Sequence, residues 1–234
     1  MPESTFSLAR PSRPTKPSST PRRPYHLPRE TLTFLHLDLA DLSSIKATVD
    51  RFLARERSLH VLFNNAGVLS FEKKLTTTPQ GYEHHVGINV LGGFLLTQLL
   101  TPLLVATGKT ERPNTVRVIW TGSSASEMFA QKNIGSTADM MQKEALAKKP
   151  GNERYWASKV GNWSHGVEYA LRHKDHGVTG IPVNPGNLQF DLYRDAGLGM
   201  RLFLKLITYP PVNGAYTELY ASFSPDITIE KNGS

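Results

Sequence analysis

The stretch Val116-Arg117-Val118-Ile119-Trp120-Thr121 is a nearly continuous apolar run, and Gly122-Ser123-Ser124 follows it directly. A short run of this kind is typical of a strand that is buried on both faces of a parallel sheet. The glycine and the serines end the strand and place hydroxyl groups at its carboxyl end. Because open parallel sheets bind their ligands at that end, this stretch predicts a buried strand and one side of a binding site.

Strand and helix patterns alternate on both sides of this segment. Apolar runs predict further strands over Thr31–Leu37, His60–Phe63 and Val178–Val183. Helical spacing of apolar residues predicts helices over Asp41–Glu56, with Asp41 as its cap, Gly87–Ala106 and Arg154–His173. Turn residues end two of the strands, at Asn64-Asn65-Ala66-Gly67 and at Asn184-Pro185-Gly186-Asn187. The alternation predicts an α/β fold with a parallel sheet that helices cover on both faces.

The composition is that of one domain preceded by a tail. A chain of 234 residues suffices for one α/β domain with a substantial core, but not for two. The net charge is +7, of which +4 lies in residues 1–30, and the same segment holds seven of the sixteen prolines. We therefore predict a disordered tail over residues 1–30 and one domain over residues 31–234. Since no aromatic platform accompanies the basic tail, we do not expect nucleic-acid binding.

Residue usage excludes or disfavours several kinds of site. The chain contains no cysteine, which excludes a disulfide framework, a thiolate nucleophile and a cysteine-ligated metal. His84 and His85 follow Glu83, but no further ligand stands at metal spacing, so we interpret them as surface or helix-start histidines. Because the apolar stretch Val90–Ala106 contains Gln98 and Pro102 and is shorter than about 20 residues, we expect it to be buried or subunit-facing and not to span a membrane. In the absence of a leader pattern we expect a cytoplasmic protein.

The most specific catalytic motif of the sequence is Tyr155-Trp156-Ala157-Ser158-Lys159. Residues four apart lie on one helix face, so the phenol of Tyr155 and the ammonium of Lys159 can converge on one substrate. A nearby cation lowers the pKa of a phenol, which then becomes a usable proton donor and acceptor near neutral pH. Taken alone, the pair is more typical of an exposed helix surface than of a catalytic site.

The order of the motifs resembles that of the short-chain dehydrogenase/reductase family, and most of all its retinol-dehydrogenase-like and fungal oxidoreductase members. The likeness covers residues 31–225. Its motifs, in chain order, are Asp38-Leu39, Asn64-Asn65-Ala66-Gly67, Asn89, Ser123, Tyr155 with Lys159, and Pro185-Gly186-Asn187-Leu188.

The resemblance implies a Rossmann-like, doubly wound parallel sheet and NAD(P)-dependent interconversion of an alcohol and a carbonyl. Tyr155 would give or take the proton, while Lys159 would lower the pKa of its phenol and hold the nicotinamide ribose. Ser123 would hydrogen-bond the reacting oxygen, and Asn89 would hold the helix geometry and a relay water. The other expected cofactor contacts are Asp38 at the adenine end, Asn64, Ala66, Gly67 and Leu188.

Two further regions acquire a meaning from the resemblance. Leu198–Ile207 corresponds to the family's substrate lid, and its apolar composition would suit a lipophilic substrate, for which a role in secondary metabolism is expected; a plain amphipathic surface helix is the alternative. Helices 87–106 and 154–173 correspond to the pair through which many members dimerise, so a homo-oligomer is expected.

The sequence departs from the family's pattern before Asp38. A Thr-Gly-x-x-x-Gly-x-Gly turn should stand there, yet the first glycine of the chain is Gly67. We therefore expect a sheet that is N-terminally incomplete, without the first two strands and their helices, in which the strand at His60 becomes an edge. The strand that selects NAD or NADP is among the missing parts, so the sequence leaves that choice open. Phe190 stands where the family often has a threonine beside the nicotinamide.

These departures leave two alternatives to an active oxidoreductase. One is a non-catalytic remnant of the family that acts as a subunit or scaffold. The other is an incorrect translation start or splice choice, in which the sequence is an incomplete version of an active enzyme.

Overall fold

The computed structural model describes residues 33–124, 126, 137–189, 199 and 208–233. The predicted tail over residues 1–30, Phe190 and the segment Leu198–Ile207, apart from Gly199, lie outside the described residues.

Three parallel strands form the sheet of the described chain. They are β1 (Val61–Asn64), β2 (Val116–Thr121) and β3 (Val178–Val183), in the order β1-β2-β3. The bounds of β2 and β3 confirm the predictions, and β1 begins and ends one residue later than predicted. Because all three strands run in the same direction, their carboxyl ends meet at one edge of the sheet.

The strand predicted over Thr31–Leu37 is wrong for its described part, since residues 33–37 form no strand. Within the described chain β1 pairs with β2 alone, so this segment has no strand beside it to extend a ladder. The carbonyl of His36 instead accepts a hydrogen bond of 2.8 Å from the Thr48 side chain. The apolar side chains of this region are buried without forming a strand, since Leu37 and Leu39 lie in the main core.

The helices agree with the predicted pattern, with shifted ends. They are α1 (Leu42–Leu53), α2 (Gly93–Gly108), α3 (Lys143–Ala147), α4 (Gly151–His173) and α5 (Pro211–Phe223). Asp41 caps α1 as predicted, since its side chain accepts from the Ser43 N–H at 3.0 Å. A π-helical stretch, Val86–Gly92, leads directly into α2. Short 3₁₀ turns lie at Asp139–Met141, Lys174–His176 and Ile229–Lys231.

Helices cover both faces of the sheet. One face, with Val118 and Trp120 of β2, packs into the main core together with residues of α1, α2 and α4. The other face, with Ile119 and Ile181, packs against Ala221 of α5. The backbone of α4 lies so close to β3 that a Cβ on Gly180 would stand 2.8 Å from the carbonyl oxygen of Gly166. This two-sided packing is the predicted α/β architecture.

The segment Val86–Gly108 joins the π-helical stretch to α2. In the described part of the chain it is the one helix whose length and composition would suffice for a membrane span, and 44% of its most apolar stretch of 18 residues is buried inside the fold. A core helix of an α/β protein has the same character. Leu96, Leu100 and Leu104 lie in the main core, which agrees with the predicted buried helix.

Candidate active site

Lys159 lies at the carboxyl end of β2. Its Nζ donates a hydrogen bond of 2.9 Å to the backbone oxygen of Thr121, the last residue of that strand. Asn162, one turn further along α4, donates to the same oxygen at 3.2 Å. Helix α4 is thus tied to the end of the strand by two side chains on one of its faces.

Tyr155 and Lys159 form a buried pair. Nζ of Lys159 lies 5.9 Å from the centroid of the Tyr155 ring, and the two residues are 9% and 5% exposed. The alternative of an exposed helical pair is therefore wrong. Burial lowers the pKa of Lys159 to about 8, while the charge of Glu218 acts in the opposite direction. Below that pH the amine is an ammonium beside a phenol, which favours the phenolate form of Tyr155.

Asn89 fixes the loop that follows β1 against α4. Its side-chain oxygen accepts from the Val68 N–H at 2.8 Å. Its amide donates to the Val68 carbonyl at 3.0 Å and to the Ser158 hydroxyl at 2.9 Å. Asn89 lies in the π-helical stretch Val86–Gly92, a distortion that is frequent at functional sites.

Gly67 lies in the same loop and faces both side chains. A Cβ on Gly67 would stand 3.1 Å from Oδ1 of Asn89 and 3.5 Å from Nζ of Lys159. The absence of a side chain keeps the space in front of the ammonium open. The structure thus brings Gly67, Asn89, Tyr155 and Lys159 together, although 92 residues separate the first from the last in the sequence.

Ser123 follows the end of β2 and is half-buried at the same edge of the sheet. The next residue, Ser124, donates from its hydroxyl to the side-chain oxygen of Asn187 at 2.8 Å. The Gly122 N–H donates to the Val183 carbonyl at 2.7 Å. These two bonds join the segment after β2 to the end of β3 and to the turn that follows it, so two of the predicted site motifs meet here.

The other predicted cofactor residues make structural contacts. Oδ1 of Asp38 accepts from the Ala40 N–H at 2.9 Å and closes the turn before α1. Asn64 is buried on the core side of β1, where its amide donates to Thr97 at 2.8 Å. Ala66 packs against the main core. Leu188 is buried against Gly214 of α5 and forms a bridge with Tyr209. Their role toward a cofactor stays a prediction.

Glu83 and His85 form a buried pair at the start of the π-helical stretch. Nδ1 of His85 lies 2.8 Å from a carboxylate oxygen of Glu83, and Nε2 accepts from the Ser70 N–H at 3.0 Å. The His85 ring lies edge-on to Tyr155, with 6.3 Å between the ring centroids. The sequence predicted either surface or helix-start histidines. His85 is a buried helix-start histidine. Among the described residues no three histidine or acidic side chains form a possible metal site.

Sequence reasoning missed Asn162 and Glu218. Asn162 stands three residues after Lys159, a spacing that already places the two on one helix face. Glu218 accepts a hydrogen bond of 2.7 Å from the Thr121 hydroxyl, a contact between residues 97 positions apart. No local pattern indicates such a contact.

The chain is similar to proteins of known family and fold. Residues 22–138 match the family described as short chain dehydrogenase. The chain is 44% identical over 202 residues to the short-chain dehydrogenase/reductase sthC of Phaeosphaeria nodorum, a match that covers 86% of this chain and 64% of that protein. It is 42% identical over 205 residues to the short-chain dehydrogenase/reductase bet4 of Neocamarosporium betae, with 87% and 59% covered. The chain thus spans about three-fifths of the length of these relatives.

Solved structures show the same fold at lower identity. The NADPH-bound carbonyl reductase from chicken fatty liver superposes with a TM-score of 0.63 at 17% identity, over 88% of this chain and 74% of that one. The 3-ketoacyl-(acyl-carrier-protein) reductase of Brucella melitensis, solved with NADH, gives 0.61 at 18% identity, with 86% and 75% covered.

Proposed function

The chain belongs to the short-chain dehydrogenase/reductase family, and from that premise we propose that it is an NAD(P)-dependent oxidoreductase which interconverts an alcohol and a carbonyl on a lipophilic small molecule. The observation that carries the proposal is the buried pair of Tyr155 and Lys159 at the carboxyl end of β2, with a centroid-to-Nζ distance of 5.9 Å. Buried, cation-assisted phenols are suited to proton transfer near neutral pH.

The proposed proton transfer uses Tyr155 as the group that protonates the carbonyl oxygen or deprotonates the alcohol. The ammonium of Lys159 stabilises the phenolate that remains after the proton has left. Ser123, at the same edge of the sheet, would donate a hydrogen bond to the reacting oxygen. Asn89 would act on geometry, because it holds the loop after β1 to α4 through three hydrogen bonds.

The nicotinamide dinucleotide would bind in front of Lys159. Gly67 leaves that space open, since a Cβ there would approach the Asn89 amide oxygen to 3.1 Å. Lys159 would hold the ribose, and Gly67 would let the loop backbone approach the cofactor closely. When bound, the nicotinamide supplies or accepts the hydride. Asp38, Asn64, Ala66 and Leu188 are the remaining proposed cofactor contacts.

Either NAD or NADP is compatible with the proposal. Similar folds are described with NADPH, in the chicken carbonyl reductase, and with NADH, in the Brucella reductase. A lipophilic substrate is supported by the apolar composition of Leu198–Ile207, the proposed lid, in which Arg201 and Lys205 are the charged residues. A role in secondary metabolism accords with the fungal relatives, the sthC and bet4 proteins among them.

A homo-oligomer through α2 and α4 is a second element of the proposal. Phe94 of α2 and Trp163 of α4 are 40% and 50% exposed and would supply apolar contacts at such an interface. The two helices adjoin at this surface, since Phe94 stacks on His165 of α4 with 4.9 Å between the ring centroids. The same surface would serve the alternative of a non-catalytic subunit. A cytoplasmic location stays a prediction.

The experiment is an assay of dinucleotide oxidation with a panel of aliphatic and aromatic ketones and aldehydes. We expect turnover with NADH or NADPH by the wild-type protein and a loss of about 100-fold or more in the Tyr155→Phe variant. Tyr216→Phe, an exposed tyrosine on α5, is the matched control and should keep full activity. Equal loss in both variants, or no binding of either dinucleotide at millimolar concentration, would refute the proposed function.

A further inference from the structure

Thr121, at the end of β2, connects the two faces of the sheet. Its backbone oxygen accepts from Nζ of Lys159 at 2.9 Å, on the side of α4. Its hydroxyl donates to Oε1 of Glu218 at 2.7 Å, on the side of α5. A carboxylate on one face and an ammonium on the other are thus held by one residue of the strand between them.

Glu218 differs from an ordinary surface glutamate because its carboxylate is withdrawn from solvent. Its other oxygen, Oε2, is buried and has no hydrogen-bond partner among the described residues. Removing an ionised carboxyl from water is unfavourable unless charges or donors compensate. In the described chain the compensation comes from the Thr121 hydroxyl and from the charge of Lys159.

The charges of Glu218 and Lys159 act on each other. Burial raises the pKa of Glu218, and the Thr121 hydrogen bond and the Lys159 charge oppose that rise. Burial lowers the pKa of Lys159 to about 8, and Glu218 is the charged group that opposes this fall. Tyr155, on the same helix as Lys159, is the other titratable group close to the amine. Each of the two charges thus favours the ionised form of the other group.

We propose that Glu218 is a positioning residue, which acts through Thr121 and Lys159 and keeps the buried amine of Lys159 in its ammonium form. The inference rests on the proposed function, in which that ammonium stabilises the phenolate of Tyr155. It extends that function, because Glu218 and Lys159 approach Thr121 from opposite faces of the sheet. It makes the acid–base pair of α4 dependent on the packing of α5 against the sheet.

A direct test follows the titration of Lys159 in the free protein by NMR of isotope-labelled lysine side chains. The Lys159 signal is assigned by its loss in the Lys159→Met variant. In Glu218→Gln, which keeps an acceptor for Thr121 but removes the charge, we expect the midpoint of Lys159 to fall by about one pH unit. Glu168→Gln, which removes an exposed carboxylate paired with Arg172 on α4, is the control and should leave the midpoint unchanged. An unchanged midpoint in Glu218→Gln overturns the inference.

Activity gives an independent readout. In Glu218→Gln the basic limb of the kcat profile should move to lower pH by the same amount, with KM for the carbonyl substrate changed less than twofold. Glu218→Asp, which keeps the charge, should restore most of the wild-type profile. Should the Glu218→Gln variant fail to fold, the titration midpoint of Lys159 is measured in the Thr121→Val variant instead. A midpoint at lower pH than in the wild type supports the inference, and an unchanged midpoint overturns it.

The two proposals fail in different ways. A protein that turns over no carbonyl, yet shows the lowered Lys159 midpoint in Glu218→Gln, contradicts the proposed function and leaves the charge coupling intact. A protein that is active, with a Lys159 midpoint that does not respond to Glu218, contradicts the inference alone.

Discussion

The amide of Asn89 donates a hydrogen bond of 2.9 Å to the hydroxyl of Ser158, one residue before Lys159 in α4. The same Asn89 side chain holds the loop after β1 through the N–H and the carbonyl of Val68. One amide therefore ties the π-helical stretch, the β1 loop and the helix of the acid–base pair together. Each of the three parts arrives from a different region of the sequence, and their relative placement depends on this contact.

Replacing Asn89 with alanine should destabilise the protein by about 2 kcal/mol, because the half-buried backbone groups of Val68 and the buried hydroxyl of Ser158 lose their hydrogen bonds to the amide. Urea unfolding followed by circular dichroism measures the change. Asn213→Ala, at an exposed position of α5, is the control and should change the free energy of unfolding by less than about 0.5 kcal/mol. Equal effects of the two substitutions would show that the Asn89 bonds contribute nothing beyond helix propensity.

Arg117 in β2 secures α5 and the segment after it to the sheet. Its buried guanidinium donates to the carbonyls of Ala221 and Ser224, both at 2.8 Å, and of Ile227 at 3.1 Å. Arg117→Met should lower the free energy of unfolding by about 3 kcal/mol, since these buried acceptors lose a charged donor.

Arg117→Lys should recover little of that loss, because a single ammonium cannot reproduce the fork of the guanidinium. Arg172→Met removes an exposed pair with Glu168 and serves as the control, with an expected loss below about 0.5 kcal/mol. Thermal or urea unfolding of the three variants gives the comparison. An Arg117→Lys variant as stable as the wild type would contradict the role assigned to the guanidinium.

Gly67→Ala tests the space in front of Lys159. The added Cβ would stand 3.1 Å from Oδ1 of Asn89 and 3.5 Å from Nζ of Lys159, so the loop must move by a few tenths of an ångström. We expect the affinity for the dinucleotide to fall by about tenfold, with a smaller effect on unfolding, because the loop backbone can no longer approach the cofactor closely. Quenching of tryptophan fluorescence on titration with NADH or NADPH measures the affinity. Unchanged binding would remove Gly67 from the cofactor site.

The sequence predicts the elements of this fold better than it predicts their contacts. Continuous apolar runs define β2 and β3 to the residue, and the helical spacing after Asp41 defines α1. Residues 33–37 show the limit, because an apolar segment that joins a sheet and one that is merely buried have the same pattern. The π-helical stretch at Val86–Gly92 was not predictable either, since its apolar residues equally fit an α-helix.

In the candidate site, too, the residues are more predictable than the contacts between them. Tyr155 and Lys159 are recognisable because their spacing is local, and the family resemblance adds Asn89 and Ser123. Whether that pair is buried depends on how α4 lies against β2, which no local pattern specifies. The contact between Thr121 and Glu218 joins positions 97 residues apart and arises only from the packing of α5 on the sheet.

The stability of the fold should decrease on acidification because of His165. Its ring lies between Phe94 and Trp120, with centroid distances of 4.9 and 5.2 Å, and burial lowers its pKa from 6.5 to about 4. The unfolded chain binds a proton below pH 6.5, whereas the folded protein resists it, so stability falls as the pH drops from about 6.5 to 4. The loss of unfolding free energy should approach about 3 kcal/mol at the lower end of this range.

The variant His165→Phe should flatten this part of the stability profile, which is measured by urea unfolding at a series of pH values. The control His36→Phe, at an exposed histidine, should leave the profile as in the wild type. An acid limb that survives in His165→Phe would assign the loss to other groups, such as the buried carboxylate of Glu83.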